Sequence, residues 1–235
     1  MPLTSHRVSE DVIEDVEDVE IDEDEACTIK VTQSPGFLCH ISATAFIRIP
    51  PKLLWEQCIV HPDNAKIYRH MNRCSFRRVG QTDPSTSIRT VRVAHEASWR
   101  FLLFHGTFTT HLRVIEDPTK FSMKFEMIPH GSSIVSKFQG EWRIEPHPED
   151  PHHSSISYLE QDLALGVWMP PPFDRLLKSI SAGQVRRIVQ DLQLEAKKIQ
   201  KGEPSLVPYE EVKDKDIGEE MVGEGDTGGD AAAGQ

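Results

Sequence analysis

Between Cys74 and Leu165 the chain repeats in twos, and that period constrains its fold more than any other feature. The stretch "KFSMKFEMI" sets Phe121, Met123, Phe125 and Met127 against Ser122, Lys124 and Glu126. In "GTFTTHLRVIED", Phe108, Thr110, Leu112 and Val114 oppose Thr109, His111 and Arg113; in "KFQGEWRIEP", Phe138, Gly140, Trp142 and Ile144 oppose Lys137, Gln139, Glu141 and Arg143. Side chains of a strand alternate between two faces, so each stretch is a strand with one apolar and one solvated side. "CSFRRVG", "SSISYLEQDLAL" and the long "IRTVRVAHEASWRFLLF", with an irregularity where its alternation changes phase, extend the set. Turn-forming segments such as "EDPTK", "PHGSS" and "PHPEDPHHSS" separate them at the spacing of an antiparallel meander.

The flanking elements have a different period. "FLCHISATAFIRI" over 37–49 is a first strand, broken by Pro50 and Pro51. Leu53, Leu54, Trp55 and Ile59 then suit a short helix with proline at its start, followed by a turn at 61–64 and one helical turn through Ile67 and Tyr68. Near the C-terminus, "PPFDRLLKSISAGQVRRIVQDLQLEAKKIQ" places Phe173, Leu176, Leu177, Ile180, Ile188, Leu192 and Ala196 near one face of a long helix. Prolines 170–172 start that helix, Lys197, Lys198 and Lys201 lie at its end, and Gly202 stops it. The order is strand, two short helices, about six strands and one long helix, an α+β arrangement in which a curved antiparallel sheet wraps a single C-terminal helix.

The ends of the chain differ in composition. "SEDVIEDVEDVEIDEDE" is almost wholly acid and β-branched, and 202–235 is rich in Gly, Glu, Asp and Ala. Neither end buries enough apolar surface to offset its ordering entropy. The expected organisation is therefore an acidic, disordered arm over 1–26, one domain over 27–201, and a disordered tail over 202–235. The net charge of −11 comes mainly from these ends, and an acidic total argues against nonspecific nucleic-acid binding. Cys27, Cys39, Cys58 and Cys74 have neither zinc-site nor disulfide-scaffold spacing and suit a reducing compartment. No stretch has the length of a transmembrane span or the form of a secretory signal. A soluble protein of a reducing intracellular compartment is expected, cytoplasmic unless an organelle presequence has been removed. His147, His152 and His153 share one polar turn but lack a ligand set, so no metal and no cofactor is expected. P-loop, Rossmann, nucleophile-elbow and zincin motifs are all missing from the sequence.

Three stretches carry a family resemblance. "LLWEQCIVHPDNAKIYRHM", "FQGEWRIEP" and "VWMPPPFDRLLKSISAGQVRRIVQDL" occur in the order found in the START-like superfamily (SRPBCC, or polyketide cyclase/dehydrase and lipid transport), most like its coenzyme-Q-binding branch and related plant and algal proteins. The resemblance spans about residues 38–200. It departs from the usual form at "HPDN" and at Glu160 and Asp162, which sit in the last strand. It implies a helix-grip fold enclosing a hydrophobic molecule (a lipid, quinone, sterol or polyketide) without implying a reaction.

The pocket residues expected on this basis are Phe108, Leu112, Met123, Phe125, Phe138, Gly140, Trp142, Leu176 and Ile180, with no residue assigned a catalytic role. Gly140 either leaves room for a ligand or permits a bend in the sheet. Noncatalytic binding or transfer ranks first. A cyclase or aromatase using an inward His95, Glu160 or Asp162 ranks second, and an interaction module with a filled core third. A bulge would turn Glu160 and Asp162 outward and leave Leu159, Leu163 and Leu165 inward, and the residues leave both phases open. Arg73, Arg77 and Arg78, with Arg175, Lys178, Arg186 and Arg187, read as surface charges compatible with transient contact at lipid headgroups.

Overall fold

The computed structural model describes residues 27–101, 104–129, 135–167 and 173–207. The acidic arm, the prolines at 170–172 and the chain from 208 onward lie outside the described residues. Eight antiparallel strands form one sheet: β1 (Cys27–Thr32), β2 (Cys39–Ile47), β3 (Met71–Thr82), β4 (Arg89–Phe101), β5 (Phe104–Asp117), β6 (Ser122–Met127), β7 (Val135–Pro146) and β8 (Ser155–Leu165), in the order β1-β2-β8-β7-β6-β5-β4-β3. Between β2 and β3, helix α1 (Pro51–Leu54) runs into a π-helical turn at Trp55–Ile59, and a 3₁₀ turn follows at Asn64–Lys66. Helix α2 (Phe173–Lys201) closes the fold.

The expected helix-grip order holds, with one added strand. Edge strand β1 alternates Cys27, Ile29 and Val31 with Thr28, Lys30 and Thr32; beside the acid run preceding it, this short signal did not stand out. Helix α2 packs chiefly on β1 and β2. Its docked stripe is Ala182, Val185, Val189, Leu192 and Ala196, all buried, and each fully buried Val or Leu contributes about 1.5–3 kcal/mol. The helix stops at Gly202, whose φ of +67° a side chain would disfavour. The chain then stays attached beyond 201. Buried Glu195 accepts hydrogen bonds from the Ser205 hydroxyl (2.5 Å) and the Leu206 N–H (2.7 Å), and Val207 is fully buried.

Candidate functional site

The ladders place one set of side chains on the sheet face that α2 closes. Across β4 and β5 the rungs are Val91–Val114, Val93–Leu112, His95–Thr110 and Ala97–Phe108. Leu112 and Val114 continue onto Met127 and Phe125 of β6, and Phe125 onto Gly140 of β7. Away from β1 and β2 this face is buried at Val91, Val93, Leu112 and Val114 and uncovered towards Phe108. Leu112, Phe125 and Trp142 are core, with the Trp142 indole N–H donating to the Ser157 hydroxyl at 2.7 Å. Met123, Met127 and Phe138 are half-buried, while Phe108 is 48% exposed. This partly exposed apolar strip of the inner face, from Phe108 to Phe138, is the candidate groove.

Gly140 does not open that groove. A Cβ there would lie 2.1 Å from the Glu160 carbonyl oxygen and 2.5 Å from Phe125 Cζ. The space above it holds the Phe125 ring, which pairs with Phe138 at a centroid distance of 5.2 Å. Of its two readings, close backbone approach in a bent sheet is the one the geometry supports.

Leu176 and Ile180 also sit elsewhere than the helical pattern suggested. At 100° per residue they stand about 180° and 140° around α2 from Val185, and they are 40% and 36% exposed. The sheet-facing side of the first turns instead carries Asp174 and Lys178, paired at 3.9 Å, with Lys178 nearly buried. The misreading has a simple cause: the apolar residues of 173–180 and those of 182–196 belong to two different stripes, and a single-face assignment merges them.

The polar groups of the groove are largely ones that sequence reasoning placed differently. A register shift between Cys74 and Phe76 turns Arg77 inward, so it is buried and not part of a surface patch. Its Nη2 donates to the Val60 carbonyl (3.2 Å) and approaches Glu116 (3.5 Å), a carboxylate that also pairs with Arg89, while Nη1 is buried without a protein acceptor. An irregularity expected in β4 in fact lies in β3, and no local signal marked its site. His95 faces inward beside this cluster. Burial, reinforced by the Arg77 charge, pushes its pKa down to about 4, so the ring is neutral at pH 7.

Glu160 and Asp162 face the other way without any bulge at their positions. Their neighbours Leu159, Gln161 and Leu163 align with the inward Ala43, Ile41 and Cys39 of β2. Asp162 accepts from His40 (2.9 Å) and Gln139 (3.3 Å) in a polar cleft of about 360 Å³ on the outer face, walled also by Glu160, Glu141 and Lys124. Neither carboxylate can act as an acid or base in the groove. In the histidine-rich turn, His153 pairs with Asp150 (2.8 Å) and His147 stacks edge-on against Phe46. Among the described residues no group of three or more His, Cys, Asp and Glu side chains could hold a metal ion, and no helix is long and apolar enough to cross a membrane.

The model of one protein family, described as "Domain of unknown function DUF220", matches residues 28–157. No curated protein matches the sequence. Among solved structures the chain is similar to the Zhui aromatase/cyclase from Streptomyces sp. R1128, at 16% identity and a TM-score of 0.51 over 68% of this chain and 93% of that one. It is similar to the di-domain ARO/CYC StfQ from the steffimycin biosynthetic pathway, at 9% identity and a TM-score of 0.51 over 69% of this chain and 52% of that one. A START superfamily protein from Mycobacterium smegmatis aligns at 12% identity and a TM-score of 0.48, over 68% of this chain and 98% of that one. At these identities the likeness is one of fold, and that fold is the START-like helix grip. The coenzyme-Q-binding branch is not singled out.

Proposed function

The chain belongs to the DUF220 family, and from the groove on its sheet we propose that it binds, and transfers without chemistry, a hydrophobic small molecule held between α2 and the β4–β7 half of the sheet. The observation that carries this reading is the apolar surface left uncovered there: Phe108 at 48% exposure on the helix-facing side, with Met127 and Phe138 half-buried beside it. A ligand covering these side chains gains about 25 cal/mol per Å² of apolar surface removed from water. His95, Thr110 and Arg77 supply the few polar groups that select among apolar ligands. The functional unit is the domain from 27 to 207, with the acidic arm and the tail as appendages. Binding of a fluorescent fatty acid to wild type and to Phe108→Glu tests the site. A loss of tenfold or more in the variant, with an unchanged melting temperature, supports it; equal affinity contradicts it.

A second reading, an enzyme of the cyclase or aromatase type, is favoured by the inward, neutral His95, which could accept a proton. It requires a substrate whose turnover His95→Ala abolishes while binding persists.

A further inference from the structure

The outer side of α2 carries an apolar ridge that the groove does not use. Phe173, Leu176, Ile180 and Leu194 are 49%, 40%, 36% and 49% exposed. All four stand about 120–180° around the helix from Val185. Arg187 is exposed on the same side, while Arg175 and Arg186 stand about 80° and 100° from Val185 on one flank, with Arg186 near Cys27 of β1. None of the three arginines has a carboxylate partner among the described residues. An exposed ridge of this size, edged by guanidinium groups with no carboxylate partner among the described residues, has the character of a covered surface.

The same chain holds a segment of matching chemistry. Between Glu10 and Glu25 lie eleven carboxylates, with Val12, Val16 and Val19 recurring at intervals of four and three. This arm enters the fold at Cys27, on the edge strand against which α2 packs, close enough to Arg186 for that guanidinium to act electrostatically on the Cys27 thiol. Eight residues of extended chain span about 26 Å, and the helix from Arg186 to Phe173 is about 20 Å long. Val19 therefore reaches any point of the ridge. We propose that the acidic arm docks on the outer face of α2, its valines on Phe173, Leu176 and Ile180 and its carboxylates on Arg175, Arg186 and Arg187. The arm is then an intramolecular cover, held by apolar burial and by charge, and weakened by salt.

Cleavage of the arm by glutamyl endopeptidase in the intact 235-residue protein tests this. Proteolysis follows the undocked population, so an arm docked nine-tenths of the time is cut about tenfold more slowly. The expected result is slow cleavage in wild type at low salt, accelerated several-fold by Leu176→Asp with Ile180→Asp, and independently by Arg175→Ser with Arg187→Ser. These positions are exposed, so circular dichroism should show the fold unchanged. Equal rates in wild type and both double variants overturn the proposal. So does a dimer that the Asp substitutions dissociate, which assigns the ridge to a second copy. Loss of anionic-vesicle binding in the variants with no change in cleavage assigns it to a membrane surface instead.

Discussion

Substituting Gly140 by alanine adds one methyl group, and the structure leaves no place for it. The new Cβ would stand 2.1 Å from the Glu160 carbonyl oxygen and 2.5 Å from Phe125 Cζ, whereas carbon atoms pack at about 3.5–4.0 Å. The ring can shift; the carbonyl belongs to the neighbouring strand, where Gly140 pairs with Gln161. Relief therefore requires β7 and β8 to separate by more than about 1 Å, sacrificing ladder hydrogen bonds worth about 1 kcal/mol each on top of an overpacking cost of about 1–3 kcal/mol. Gly140→Ala should lose about 3–5 kcal/mol, and with a urea m-value of about 2 kcal/mol per molar its midpoint should fall by about 2 M. Equilibrium urea unfolding measures this directly. Phe125→Leu in the same chain should not restore stability, because the backbone contact remains. A loss below about 1 kcal/mol, or full rescue by Phe125→Leu, would refute the close-approach account. Gly140→Trp should fail to fold for the same reason.

Other outcomes follow from the buried polar groups. His95 has a pKa near 4 in the fold against 6.5 in the unfolded chain, so between those values the unfolded state binds more protons and stability falls as pH falls. The slope attributable to this one group is at most about 1.4 kcal/mol per pH unit. Stability of wild type against His95→Asn between pH 7.5 and 4.5 isolates it from His70, which burial also lowers; parallel curves would contradict an inward, neutral His95. Glu195→Ala removes the acceptor of Ser205, Leu206 and Lys198 and should cost about 2–4 kcal/mol, with hydrogen exchange accelerated at Leu206 and Val207. Unchanged exchange there would show that the segment is held by other contacts.

Much of this architecture was legible in the residues because period two and period 3.6 are both local signals. The inner set Phe138, Trp142 and Ile144 followed from alternation alone, and the helix stop from the glycine at 202. The site was less legible, for three physical reasons. A register shift between Cys74 and Phe76 reversed the orientation of Arg77, and such shifts carry no compositional mark. Two apolar stripes on α2 looked like one, since helical spacing does not say which stripe the sheet covers. What stands above Gly140 depends on Phe125, a residue of a neighbouring strand. For Glu160 and Asp162 alternation left two phases open, and the β2–β8 register, a long-range pairing, fixed which face was which.

The central claim is that the uncovered face holds a hydrophobic ligand. Native mass spectrometry of the full chain, with organic extraction and incubation with lipids and quinones, addresses it most directly. The account predicts a stoichiometric hydrophobic adduct, released on extraction and diminished in Phe108→Glu. If neither the purified nor the incubated protein carries an adduct, the groove binds no such molecule and the domain is an interaction module with a filled core.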